Sequence, residues 1–190
     1  MKYLIVYAHP DSKSFNRALL EAVERRLDEL GKRYDVRDLY AIGFDPVLAR
    51  GELAVGGAKE VPGDAERERE FVAGADALIF IYPVWWFGMP AIMKGYIDRV
   101  FSEGFAFAFD GNRHRGLLGG KRVFIINTTG SSREILQHMG YEDAMRVTTD
   151  AGIFGFCGVE VALHRYFPAV AKIDDDARQV MLKQVTKMDF

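Results

Sequence analysis

Three short stretches carry side chains that could gather around one ligand. His9-Pro10-Asp11-Ser12-Lys13-Ser14-Phe15-Asn16 is rich in hydroxyls and runs straight into a helical pattern, whose free backbone N–H groups would attract phosphate. Ser14 could equally serve only to cap that helix. Pro83-Val84-Trp85-Trp86-Phe87-Gly88-Met89-Pro90 holds both tryptophans of the chain between two prolines. Buried packing is the usual fate of aromatics, but such a loop also makes a rigid wall for a flat ligand. Asn127-Thr128-Thr129-Gly130-Ser131-Ser132 offers close backbone approach at the glycine, with N–H and hydroxyl groups able to bond the edge of a heterocycle. A plain helix cap explains this third stretch about as well. Phosphate, ring-face and ring-edge contacts together are more specific than any one alone. Neither GxGxxG nor GxxxxGK[ST] is present, which sets aside ordinary dinucleotide-binding dehydrogenases and P-loop ATPases.

Other reactive side chains read more plainly. His9, His114, His138 and His164 show no spacing such as HxxxH, so no metal site is expected, and His164 in VALHRYF reads as strand filler. The single cysteine, Cys157, cannot form an intrachain disulfide; a small buried hydrophobe in a reducing compartment is the expectation. Arg113-His114-Arg115 and the ERERE run from Glu66 to Glu70 read as solvated charge, and Lys94 with Asp98 as a helical i to i+4 pair.

The elements that must position these loops follow from hydrophobic periodicity. Short β-rich runs recur at Tyr3 to Ala8, Tyr34 to Leu39, Ala77 to Tyr82, Arg122 to Asn127 and Val159 to Tyr166. Helical patterns alternate with them: Phe15, Ala18, Leu19, Ala22, Val23, Leu27 and Leu30 keep a 3.6-residue period that Gly31 stops. The first, third and fourth runs are almost continuously apolar, as parallel strands covered on both faces should be, while YDVRDL alternates like an edge strand. The expectation is an α/β flavodoxin-like, doubly wound, five-stranded parallel sheet of order 2-1-3-4-5, with helices on both faces. Ligands then sit beyond the carboxyl ends of the strands, where all three loops fall. Gly43 to Asp64 is too long for a plain connection and reads as a functional loop or an interface segment, and Asp174-Asp175-Asp176 opens the last helix.

With 190 residues, 49% hydrophobic and 27% charged, the chain is expected to form a single domain, 1–190. A net charge of -2 gives no electrostatic footprint for nucleic acid or an anionic membrane. No signal peptide or spanning segment is evident, and the expected location is cytoplasmic.

The strings YAHPDSKSFNRALLEAV, PVWWFGMPAIMKGYIDRVFSEGFAFAF and INTTGSS closely resemble the flavodoxin-like NAD(P)H:quinone oxidoreductases of the DT-diaphorase and modulator-of-drug-activity type. The resemblance runs from Tyr3 through GIFGFCG. It implies a tightly held flavin, FAD or alternatively FMN, with NAD(P)H as electron donor and a quinone-like acceptor. Carried over by position, His9, Ser14, Phe15 and Asn16 hold the phosphate end. Pro83, Val84, Trp85, Trp86 and Phe87 line the isoalloxazine, and Thr128, Thr129, Gly130 and Ser131 bond its pyrimidine edge. Phe105 and Phe107 face the open side, where nicotinamide and quinone take turns in two-electron, ping-pong turnover, and a homodimer is implied. Longer members carry a Tyr and a His downstream of TTG with a role in hydride transfer. That spacing is missing here, leaving His138 and Tyr141 as the nearby candidates beside their plainer roles as exposed helix residue and packing residue. The alternatives are an azo- or nitro-reductase with the same site, or a regulatory flavin-binding ancillary subunit of a potassium efflux system.

Overall fold

A computed structural model describes residues 1–53 and 61–190. Seven strands and six α-helices follow in the order β1 (Lys2–Tyr7), α1 (Phe15–Glu29), β2 (Arg33–Asp38), α2 (Gly63–Gly74), β3 (Ala77–Pro83), α3 (Ala91–Val100), β4 (Phe107–Asp110), β5 (Arg113–Gly116), β6 (Arg122–Thr128), α4 (Arg133–His138), α5 (Tyr141–Arg146), β7 (Glu160–Phe167) and α6 (Asp175–Val185). A π-helical stretch, Val147–Gly155, continues α5. Five strands form one parallel sheet in the order β2-β1-β3-β6-β7, while β4 and β5 form a separate antiparallel hairpin. That hairpin was not anticipated from the sequence. Only the second half of GFAFAF, from Phe107, lies in its first strand.

Alternation along the strands divides the core in two. In β1, Leu4 and Val6 join Phe80, Tyr96 and Phe101 on the face covered by α2 and α3, whereas Tyr3, Ile5 and Tyr7 join Leu19, Leu20, Val23 and Val185 under α1 and α6. All are buried, so both faces contribute hydrophobic stabilisation. The break in this alternation lies in β7. Val123 pairs with Val161 but Phe124 pairs with Leu163, leaving Ala162 unmatched in a bulge. One surplus residue inverts the faces that follow, so His164 lies beside Ile125 on the same face as Asn127.

The long Gly43 to Asp64 segment is pinned by its charges where it is described; residues 54–60 lie outside the described ones. Arg99 of α3, buried, donates to Glu52, to both oxygens of Asp64 and to the Asp45 carbonyl. These bonds hold the Asp64 carboxyl below the usual carboxylate range. Pro46 passes so close to α3 that a side chain at Gly95 would strike its backbone. The ERERE expectation needs correction: Glu68 and Arg69 are buried, Glu68 against Arg37 and Arg69 against the Arg99 carbonyl and Ser102. α2 lies flat on the sheet, so two of its charged positions face inward and survive by pairing.

Candidate active site

The carboxyl ends of β1, β3 and β6 open onto one cavity of about 920 Å³. Its lining includes His9, Ser14, Phe15, Asn16, Pro83, Val84, Trp85, Trp86, Phe87, Thr128, Thr129, Gly130 and Ser131. The structure therefore brings together every residue of the three stretches singled out above as cofactor-binding. Lys13 and, from one face of α6, Asp175, Arg178, Gln179 and Leu182 extend the lining at one end. The sequence reading missed these last residues, because α6 carries no motif and only its amino-terminal placement beside α1 brings it in.

The first stretch is built around the amino terminus of α1. Ser14 does cap the helix, its hydroxyl accepting from the Arg17 N–H at 3.2 Å. The Phe15 and Asn16 N–H groups before it have no acceptor among the described residues. The Asp11 N–H donates to His9 Nδ1 at 3.0 Å, which leaves Nε2 as the ring's remaining position for a proton to donate. Asn16 is buried. Its amide nitrogen donates to Thr128 Oγ1 at 2.8 Å, but its side-chain oxygen has no partner.

The aromatic stretch is a tight turn. Trp85 and Gly88 exchange both backbone hydrogen bonds at 3.1 Å, and the two residues between them, Trp86 and Phe87, adopt φ of 49° and 55°. Positive φ at both central positions is a hairpin geometry that Asn-Gly normally fills, and bulky residues there carry strain of about 1–2 kcal/mol each. Trp86 is 97% exposed, Trp85 and Phe87 less so. Phe87 stacks on Tyr141 at 3.9 Å between centroids. Among the described residues no acceptor takes the N–H of Trp86 or Phe87.

The third stretch is fixed instead of strained. Thr128 receives the Val84 N–H, Thr129 donates its N–H to Phe167 and its hydroxyl to Ser131, and Ala169 and Val170 donate back to Ser131 and Thr129. The N–H groups of Gly130 and Ser131 have no acceptor among the described residues. Behind this loop, Asn127 donates to the Tyr82 carbonyl at 3.1 Å and its oxygen lies 2.7 Å from His164 Nε2, while His164 Nδ1 lies 2.5 Å from Asp150. His164 is thus not filler. Only the β7 bulge, invisible as a pattern, turns it toward Asn127.

The remaining candidates fall elsewhere. His138 is exposed at the end of α4 and does not line the cavity, and Tyr141 lies behind its lining, stacked on Phe87 and packed in the cluster of Leu136 and Val84. Phe105 lies beside Arg69, and Phe107 lines a separate cleft of about 360 Å³ with Phe101, Phe156 and Cys157. Phe105, in the turn before β4, and Phe107, in the β4–β5 hairpin, both lie away from the cavity of their own chain. Cys157 is buried, with its thiol pushed up to about 11 by desolvation. Among the described residues no cluster of His, Cys, Asp and Glu could hold a metal, and no helix is long and apolar enough to cross a membrane.

Asn16 tests what the cavity could hold. An unpaired amide oxygen in its wall, free N–H groups on two loops and a helix amino terminus ask for a ligand offering donors, acceptors and negative charge at separate points. A flavin phosphate meets each demand.

A family model described as flavodoxin-like fold matches residues 1–188. The chain is 36% identical over 184 residues to a protein of Haemophilus influenzae named an NAD(P)H oxidoreductase, covering 96% of this chain and 91% of that one. It is 32% identical to a Mus musculus ribosyldihydronicotinamide dehydrogenase [quinone], covering 95% and 87%. The solved NAD(P)H:quinone oxidoreductase of Methanothermobacter marburgensis superposes with a TM-score of 0.88 at 32% identity, over 98% of this chain and 94% of that one.

Proposed function

We propose, from the premise that this chain belongs to the flavodoxin-like fold family, that it is a flavin-dependent NAD(P)H:quinone oxidoreductase. The observation that carries this reading is the convergence on one cavity of free N–H groups from two loops and a helix amino terminus with the unpaired oxygen of Asn16. A bound flavin would supply the chemistry of accepting two electrons from NAD(P)H and passing them on. The chain's part is to bind and orient. His9, Ser14, Phe15 and Asn16 hold the phosphate end, and Pro83 to Phe87 line the ring. Thr128, Thr129, Gly130 and Ser131 meet its pyrimidine edge, where the Gly130 and Ser131 N–H groups offset negative charge.

FAD is favoured over FMN because the cavity continues past the helix α1 terminus to Arg178, Gln179 and Leu182, farther than a mononucleotide needs. Arg178 is held there by Asp175 and the Val170 carbonyl. A homodimer is proposed because Phe105 and Phe107 can face the open side only from a second copy. The proposed unit is a single cytoplasmic domain, 1–190. Tyr141, behind Phe87, keeps a supporting place at the ring; His138 has none. Nicotinamide and quinone would share one open face and alternate, giving parallel double-reciprocal plots.

The deciding experiment is an absorbance spectrum of the purified protein followed by chromatography of the released flavin. A flavin band and released FAD are expected. No flavin band after reconstitution with both FAD and FMN would overturn the reading, and released FMN would overturn only its finer part.

A further inference from the structure

Tyr82, Asn127 and Tyr166 are register partners on β3, β6 and β7, so they form one row across the sheet immediately before the cavity loops. His164 sits beneath that row, 8% exposed, stacked on Tyr166 at 4.4 Å. The orientation of Asn127 is not arbitrary. Its amide nitrogen must face the Tyr82 carbonyl, since turning the amide over would set two acceptors against each other. The Asn127 oxygen therefore faces His164 Nε2, and a carboxylate oxygen of Asp150 faces Nδ1. Both ring nitrogens confront acceptors that carry no proton to give.

We infer that His164 is a positioning residue: an imidazolium that donates through both ring nitrogens, clamps the ends of β3, β6 and the π-helical stretch together, and sets positive charge behind the Thr128–Ser131 loop. Asp150 lies on the far side of the ring from Asn127, so the pair is a dipole with its cationic end toward the cavity. The surrounding charges are ordered with it. Arg146 of α5 donates to Glu142 and to the His164 carbonyl, lies 3.6 Å from Asp150, and sits over the Tyr166 ring. The titratable groups facing the imidazole are thus Asp150 and Arg146, with Tyr166 on β7 and Tyr82 on β3 bordering the cluster and Glu142 behind Arg146. The π-helical stretch supplies the anion. π-turns gather at functional sites, and here one carries Asp150 against the strand ends. His164 does not pass protons to the cavity, because Asn127 stands between and an amide is no relay.

The consequence for flavin reduction rests on the function proposed above, but the clamp itself does not, and the tests separate them. Nitrogen NMR of histidine-labelled, flavin-free protein at neutral pH is expected to show both His164 ring nitrogens protonated; a neutral single tautomer overturns the proposal. His164→Gln keeps one donor and loses the charge. In that variant amide exchange at Thr129 is expected to quicken about tenfold. The reduced flavin should lose about tenfold in relative affinity, a fall of about 30 mV in the two-electron midpoint potential. A lowered melting temperature with unchanged potential and unchanged Thr129 exchange would make His164 a packing residue and overturn the proposal. Should His164→Gln fail to fold, Asp150→Asn is expected to strip the ring's second proton in the NMR spectrum and quicken Thr129 exchange; no change in either overturns the clamp. Wild-type protein that takes up no flavin would defeat the proposed function, while the NMR and exchange measurements would still decide the clamp.

Discussion

The turn Trp85–Gly88 and the row Tyr82–Asn127–Tyr166 stand on adjoining parts of the same strand ends, yet they are held in opposite ways. In the turn, exposed aromatics occupy backbone angles that cost energy, and beyond the paired bonds between Trp85 and Gly88 they are held by the Phe87–Tyr141 stack and the His9–Trp85 contact. In the row, the side chains are buried, and Asn127 reaches both Tyr82 and His164. One wall can move to meet a planar ligand; the other supplies a fixed reference for its edge. Strain concentrated on the wall that meets the ligand, with none needed on the wall that orients it, suits a site that must exchange two substrates over one ring.

The largest test of that contrast is Asn127→Leu. It leaves the Tyr82 carbonyl and His164 Nε2 unpaired in the interior, and a loss of about 3–5 kcal/mol in denaturant unfolding is expected. A loss under about 1 kcal/mol would mean that the row is no more fixed than the turn.

Cys157 probes the end of the helical segment that bears Asp150. The unfolded thiol ionises near its ordinary 9.0 while the buried one waits until about 11. Stability from this group is therefore full below pH 9, falls as pH climbs from 9 to 11, and falls no further beyond, by roughly 3 kcal/mol in all. Urea unfolding across that range should show a steeper decline in the wild type than in Cys157→Ala, the tyrosines raised by burial declining equally in both. Identical curves for the two proteins would indicate a segment loose enough to admit water.

The smallest effect has the opposite sign. Trp86→Asn places a residue suited to positive φ in the turn, so stability should rise by about 1 kcal/mol while flavin retention weakens severalfold. A fall in stability with flavin affinity unchanged would make Trp86 part of the framework.

Much of this was legible in the sequence because continuous apolar runs at Tyr3 and Ala77 admit few structures other than central parallel strands, and the rule that ligands lie beyond strand ends then selects the three loops. Ser14 as a helix cap and the Asp174–Asp176 run as the opening of the last helix were equally local, since both are decided within a few residues of the helix start. What stayed hidden depended on distant partners. Glu68 and Arg69 look solvated until Arg37 and Ser102 arrive from elsewhere, and His164 faces the wrong way by simple alternation until the bulge at Ala162 turns it. The place of Phe105 and Phe107 depends on a hairpin whose strands are four residues each, too short for periodicity to speak.

The bulge has a further consequence, for chain length. Val161 and Leu163 already pair with neighbouring residues of β6, so removing Ala162 leaves every β6–β7 pair, before it and after it, where it was. Deleting it would straighten the strand and keep His164 on Asn127. Retaining it while flattening the strand would send His164 to the α1 side beside Ile126, put Leu163 in its place beside Ile125, and set Arg165 in place of Tyr166 beside Asn127. Among related chains, a gap at this point would be silent to the site, whereas a gap between Leu163 and Tyr166 would rewrite it.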